Sequence, residues 1–384
     1  MHDVVLDAIF DKLDFIPDVF KTKPKAENFL AFFFGICLCP MSTMNAFSEW
    51  LDGWKNQSSL NRFLTSGCWK VSQLKEKYLG WLGTEIEAAK RTIYFIIDDS
   101  KSKKTGDFIE KASMDYDSNE GRHVLCHTLV TSLVKLASFE LPFELTLYDK
   151  TKKGKDSFKS KLDIAIEHAT AFMKIAGKDR RVIFLFDAWY CAVKFISKLP
   201  AGVFWVSRLK KNRLVKIGDF WHSLKELQCC VKAGNFKRIK VNCSHFWACS
   251  LKIEVKGLGL VTLVLVKDTK HSRFVEFFVS NLDETAEEIL GHYSKRWSIE
   301  VFFRAMKQNL GLDGYQMRKY KGIRRYWAIV QLTYAILAVL RRHWKRTCKT
   351  IGEAIAQLRR HARKYEKKLG WVIENYVGEK IAKL

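Results

Sequence analysis

Arg91-Thr-Ile-Tyr-Phe-Ile-Ile-Asp98-Asp99-Ser100 decides the fold of this chain. From Ile93 to Ile97 every residue is β-branched or aromatic, with no polar alternation, as in a strand buried on both faces. The run ends in two acids. Arg181-Val-Ile-Phe-Leu-Phe-Asp187 repeats the arrangement, an apolar strand closed by an acid. Between the two, His123–Val134 and Phe139–Tyr148 read as further strands and Ser157–Gly177 as an amphipathic helix. Ala188–Leu199 is expected to be helical as well. Strand and helix alternating in this way predict an α/β domain. Parallel strands gather functional groups at their carboxyl ends, so Asp98 and Asp187 are expected at one edge. Either acid alone would read equally well as a turn or helix-capping residue.

From Ala201 to about Asp283 the pattern changes. Val203–Arg208, Phe236–Cys243, Phe246–Val255, Leu258–Val266 and Phe274–Asn281 are rich in β-formers and separated by glycine or charged turns. They predict a mainly antiparallel insertion within the α/β domain. Tyr293-Ser-Lys-Arg296-Trp-Ser-Ile-Glu300 follows, running on to Lys307. On one α-helix, with Arg296 set at zero, Lys307, Glu300 and Tyr293 would lie at ~20°, ~40° and ~60°. Trp297, Ile299, Val301, Phe302 and Met306 would fill the opposite, core-facing side. A surface ion pair between Arg296 and Glu300 is the plain alternative.

Three carboxylates, Asp98, Asp187 and Glu300, cannot all stay ionised at short range without a cation between them. Oxygen-only ligation favours Mg²⁺ or Mn²⁺ over zinc. Two such ions would activate an attacking hydroxyl and stabilise the leaving oxygen of a phosphodiester. Tyr293, Arg296 and Lys307 would then hold flanking phosphates, and Arg208, Lys210 and Lys211 would touch the nucleic acid beyond them. Charge agrees: 66 Lys and Arg against 41 Asp and Glu leave +25, which a polyanionic partner explains most simply.

Residues 1–90 read as helices carrying Lys21, Lys23, Lys25, Lys55, Arg62 and Lys70. This is a DNA-binding region or a structural cap. Beyond Thr347 a basic helical tail carries Arg359, Arg360, Arg363, Lys364, Lys367 and Lys368. The ten cysteines form no CxxC pair and read as reduced thiols, which implies an intracellular, cytoplasmic setting. Cys243, His245 and Cys249 alternate in an expected strand, and a zinc site there would need Cys229 or Cys230 as a fourth ligand. The N-terminus is acidic, unlike a signal peptide, and the run Tyr326–Leu340 is shorter than the ~20 residues that cross a bilayer. No membrane role is expected.

Tyr293, Arg296, Glu300 and Lys307 together resemble the Tyr-Arg-Glu-Lys motif of bacterial insertion-sequence transposases of the DDE class. Asp98-Asp99-Ser100 resembles the first-acid motif of that family, an Asp followed two residues later by Ser or Thr. By that pattern Asp98 is the ligand, with Asp99 the alternative. Phe186-Asp187-Ala188-Trp189-Tyr190 resembles the second-acid motif, and Lys104-Thr105-Gly106 a basic segment after the first. The resemblance runs from about Thr92 to Trp344. It implies an α/β, ribonuclease-H-like (retroviral-integrase-like) mixed sheet with a β insertion and helical regions at both ends. The expected division is 1–90, a helical DNA-binding region; 91–200 and 285–345, the two parts of the catalytic domain; 201–284, the insertion; and 346–384, the tail. It implies Asp98, Asp187 and Glu300 as catalytic metal ligands, two Mg²⁺ ions replaceable by Mn²⁺, and double-stranded DNA bound by a homodimer. The activity implied is cut-and-paste transposition at terminal inverted repeats, on the bacterial nucleoid. A structure-selective nuclease without strand transfer and a non-catalytic DNA-binding regulator are the alternatives.

Overall fold

The run beginning at Ile93 is strand β1 (Ile93–Lys103), the centre of a mixed sheet. The structure, a computed structural model, describes residues 4–39, 41, 43–51, 53–89, 91–106, 108–118, 120–177, 179–344, 348–362 and 369–382. The remaining strands are β2 (Ser113–Asp117), β3 (Arg122–Lys135), β4 (Glu140–Leu147), β5 (Val182–Phe186), β6 (Phe204–Arg208), β7 (Leu214–Ile217), β8 (Phe220–Ser223), β9 (Lys237–Val241), β10 (Ser244–Val255), β11 (Gly259–Lys267) and β12 (Glu276–Ser280). Helices α1 (Val4–Lys12), α2 (Ile16–Phe20), α3 (Lys23–Leu38), α4 (Met44–Trp50), α5 (Gln57–Thr65) and α6 (Val71–Glu87) precede the sheet. Within and after it come α7 (Lys161–Ala176), α8 (Val193–Ile196), α9 (Leu224–Cys230), α10 (Ala286–Ser294), α11 (Trp297–Arg304), α12 (Tyr320–His343), α13 (Ile351–Ala362) and α14 (Leu369–Ile381).

The sheet runs β2-β3-β1-β5-β6-β12-β11-β10-β7-β8, with β4 also on β3 and β9 also on β10. β1 is antiparallel to β3 and parallel to β5, and β5 is parallel to β6. β6 then pairs antiparallel with β12, so the expected insertion is an edge-on continuation of the central sheet. The hairpin β7–β8, turned at Gly218 with φ +57°, was not expected from sequence. Cys243 sits in the turn after β9, not in the strand with His245 and Cys249. Among the described residues no three His, Cys, Asp or Glu side chains form a metal-holding cluster, zinc-type or otherwise.

Strand alternation sorts β1 onto two faces. Phe95 stacks on Phe172 of α7, with ring centroids 4.3 Å apart. Tyr94 faces the other way and hydrogen-bonds His292 of α10 at 2.9 Å. The even-numbered residues, Asp98 among them, therefore look toward α10 and α11, and Asp99 looks toward α7.

The helices form a second layer around α3, whose residues from Ala26 to Leu38 are all buried. Apart from Glu27, paired with Lys55, and Asn28, which accepts from Ser59, the stretch is apolar or glycine on every side, as suits a core helix. It packs on α12, α13 and α14, joining the two ends of the chain. Arg325 of α12 is buried and donates to the carbonyls of Leu64, at 2.8 Å, and Gly67, at 2.6 Å, while lying over Trp69. It caps the buried carboxyl end of α5, whose last carbonyls have left the helix ladder. α12 is longer than the apolar run suggested: Tyr320–Arg342 has the length and hydropathy of a membrane span. That window is 83% buried within the fold, which is the setting of a core helix. Arg363, Lys364, Lys367 and Lys368 of the expected basic tail lie outside the described residues.

Candidate active site

The parallel ladder between β1 and β5 ends at the pair Ile97 and Phe186, and that between β5 and β6 at Phe186 and Ser207. The next residues along the three strands are Asp98, Asp187 and Arg208. Neighbouring strands lie ~4.8 Å apart, so two acids and a cation stand in one row across the sheet. β1 itself does not stop at the acids: its antiparallel pairing with β3 continues to Lys103.

Asp98 is largely buried. Burial first, and then the charge of Asp187, push its carboxyl up to about 7, while Arg296 pulls the other way. Arg296 Nη1 donates to Asp98 Oδ2 at 3.0 Å, and its Nη2 donates to Glu300. The guanidinium thus stands between the first and third acids. Two carboxylates turned toward one cation are a donor set suited to a hard metal ion. Glu300 is half-buried in the first turn of α11, where the helix dipole also favours a negative charge.

Asp187 has a second set of partners. Its Oδ1 accepts the backbone N–H groups of Trp189 and Tyr190, at 3.0 and 3.1 Å. This local turn replaces most of the helix expected at Ala188–Leu199, leaving only the four residues of α8. Asp99 is held on the opposite face. Its Oδ2 accepts from Lys161 at 2.7 Å and its Oδ1 from the Tyr190 hydroxyl at 3.1 Å. Lys161, at the start of α7, and Tyr190 thereby clamp the Asp187 turn to β1. Sequence reading missed both: Lys161 lies far along the chain from Asp99, and no local pattern marks the contact.

The expected single helix from Tyr293 to Lys307 is a composite. The N–H groups of Arg296 and Ile299 bond three residues back, to Tyr293 and Arg296, so the backbone tightens between α10 and α11. From Ala305 to Asn309 it loosens into a π-segment. Ile299, Phe302 and Met306 are buried as expected, but Trp297 and Val301 are exposed, 55% and 37%. Tyr293 packs edge-on against Phe278 of β12 and beneath Arg296, and burial pushes its phenol up to about 12. Lys307 does not join Arg296 at Asp98. Its Nζ donates to the Lys101 carbonyl at 2.6 Å and lies 3.7 Å from Asp313. Arg296 and Lys307 therefore meet β1 at Asp98 and Lys101, Glu300 is joined to Asp98 through Arg296, and Tyr293 lies against β12.

Of the other expected contacts, Arg208 is paired with Glu276 of β12, and Lys210 and Lys211 are exposed. Lys104 lies over the Tyr315 ring, 3.6 Å from its centroid, and donates to the Asp313 carbonyl. Burial lowers its ammonium to about 8.

Residues 92–336, more than half of the chain, match the family model described as the transposase DDE domain. In three dimensions the chain is similar to the piggyBac transposase of a synaptic complex with hairpin DNA. The TM-score is 0.51 at 10% identity, covering 93% of this chain and 76% of that one. At such identity the likeness speaks for the fold, which is mixed α/β and ribonuclease-H-like. The NurA nuclease from Sulfolobus solfataricus aligns with a TM-score of 0.25 and 9% identity, over 71% of this chain and 93% of that one. No curated protein matches the chain in sequence.

Proposed function

The chain belongs to the family of transposases with the DDE domain, and we propose that it cuts the ends of a bacterial insertion sequence and joins them to target DNA. The row of Asp98 and Asp187 on adjacent strands, with Glu300 brought to Asp98 through Arg296, carries this reading. Transposases of this family generally use divalent metal ions. The residues fit such an ion by donor chemistry, three carboxylates with only oxygen to offer and one raised to about 7 by burial and a like charge. In their present positions they form no closed cluster, and Arg296 stands between Asp98 and Glu300 where an ion would bind. Asp98, Asp187 and Glu300 would hold two Mg²⁺, or Mn²⁺ in their place. When bound, the ions would supply Lewis-acid stabilisation and an activated hydroxyl.

The chain's own groups do the positioning. Arg296 neutralises Asp98 and Glu300 and, as a planar fork, is suited to a phosphate in the same place. Tyr293 sets the plane of that guanidinium from below. Lys307 fixes the outer end of β1 through the Lys101 carbonyl and keeps an ammonium beside the strand for a flanking phosphate. Arg208 and Lys210 extend the positive edge past Asp187, and the homodimer would bring two such sites to two element ends.

Glu300→Gln tests the assignment. The variant should bind duplex DNA as the parent does and lose metal-dependent cleavage by at least a hundredfold. A variant that cleaves at the parental rate removes Glu300 from the chemistry and the proposal with it.

A further inference from the structure

At the end of the sheet opposite the carboxylates lies a second concentration of positive charge. An open cleft of about 680 Å³ is lined by Arg91, Lys135, Arg180, Arg181 and Lys295, with Asp179 its one acid. The sheet itself assembles it. Tyr94 is in register with Lys135 of β3, and Ile93 with Val182 of β5, so Lys135, Arg91 and Arg181 come to one end of three adjacent strands. Such strands lie ~4.8 Å apart, which sets the cations in a row. Lys295, in the turn after α10, closes the cleft over Tyr94, 5.7 Å from its ring centroid.

The balance of partners matters here. Lys135 has Glu140 at 3.5 Å, Arg181 has Glu284, and Arg180 is spent on the Ala89 and Glu87 carbonyls. Among the described residues no acid pairs with Arg91 or Lys295. Asp179, Glu140 and Glu284 offset three of the five cations, which leaves Arg91 and Lys295 to be balanced by an anion from outside. Asp98 is four residues along β1 from Tyr94 and six from Thr92, so at ~3.3 Å per residue these cleft walls stand ~13 to ~20 Å from the carboxylate, with Lys295 the nearest cation, next in sequence to Arg296. The cleft cannot be the grip on the phosphate being cut.

We propose that this cleft binds the phosphodiester backbone of duplex DNA, as a second contact remote from the carboxylates. The inference rests on the chain's acting on DNA. Its ligand is a row of phosphates, for which arginine and lysine N–H groups are the usual donors.

The test is the salt dependence of binding to a fluorescent duplex in EDTA. Each phosphate contact contributes ~0.9 to the slope of log K against log salt. The double variant Arg91→Gln, Lys295→Gln should lower the slope by about 2 and, with the electrostatic contribution vanishing near ~1 M, weaken binding roughly 60-fold near 0.1 M salt. Arg91→Gln alone, at an exposed side chain, should give about half the slope change. Lys216→Gln, Lys225→Gln, an equal loss of charge at β7 and α9, should change affinity less than about twofold. The melting temperature and its rise with Mg²⁺ should be unchanged in the Arg91/Lys295 variant. Parental affinity and slope in that variant, or an equal loss in the β7/α9 control, overturns the cleft while leaving the carboxylate site intact. A parent protein that binds no duplex at all sinks both.

Discussion

Asp98→Asn isolates the electrostatic strain at the candidate site. In the folded chain the Asp98 carboxyl titrates at about 7 instead of an ordinary 3.8. Raising a folded-state pKa means that folding favours the protonated acid. Its contribution is intact below the unfolded value and is lost as pH rises through 7, so the charged form costs stability above that. A shift of about 3 units corresponds to roughly 4 kcal/mol at ~1.36 kcal/mol per unit. The side chain keeps 21% of its surface in solvent, and screening and relaxation should leave about 2 kcal/mol. Asparagine has the shape of the protonated acid and no charge. At ~2.1 cal/mol/K per residue, the metal-free variant should melt about 2–3 °C above the parent at pH 8, and level with it near pH 4. Adding Mg²⁺ should reverse the order at pH 8, because ligand binding stabilises only the chain that holds the ion. Differential scanning calorimetry in EDTA and then in Mg²⁺, across that pH range, reads both effects. A variant that melts below the parent in EDTA at pH 8, or by the same margin at every pH, refutes the reasoning.

His168 gives a pH effect of opposite sign. Burial, and then the charge of Lys75, lower its imidazole to about 3, with the Ser132 and Thr146 hydroxyls on its two nitrogens. Its contribution is present above an ordinary histidine's 6.5 and is lost as pH falls toward 3. Melting curves of His168→Gln should therefore show an acid slope shallower by up to about 1.4 kcal/mol per pH unit below 6; an unchanged slope would place the imidazole in water. Arg325→Met should cost about 3 kcal/mol, because it strands the Leu64 and Gly67 carbonyls in a buried layer. That is a fall of about 4 °C in melting temperature, and a neutral result would mean that α5 ends without this cap.

The strands that carry the acids were legible because both are buried on two faces. Their composition could hardly serve another structure, and an acid at the end of such a run stands out. The row of Asp98, Asp187 and Arg208 follows from parallel register, which sequence suggests but does not set. The choice of face was legible through alternation: Asp98 lies with Tyr94 and Asp99 with Phe95. The helix from Tyr293 to Lys307 was read with one uniform period, and the real backbone tightens and then loosens. That change of pitch carries Lys307 to Lys101 and leaves Trp297 exposed. The helix after Asp187 is shorter than its sequence suggests because the Asp187 carboxylate binds the next N–H groups as a turn, an interaction that competes with helix formation. Gly218-Asp219 between two short apolar runs is a readable hairpin signal, with the glycine at the position of positive φ. The Lys161–Asp99–Tyr190 clamp left no trace along the chain, since nothing local links residues so far apart.

The most direct test of the metal-dependent joining reaction uses the DNA that flanks this reading frame. Duplexes ending in its inverted repeats, cut to expose a 3′ hydroxyl, would be incubated with a supercoiled plasmid, the purified chain and Mg²⁺. The account predicts plasmid joined to the duplex ends with the parent chain, and none with Glu300→Gln or in EDTA. Plasmid that is only nicked, with no joined product, would contradict it and leave a nuclease.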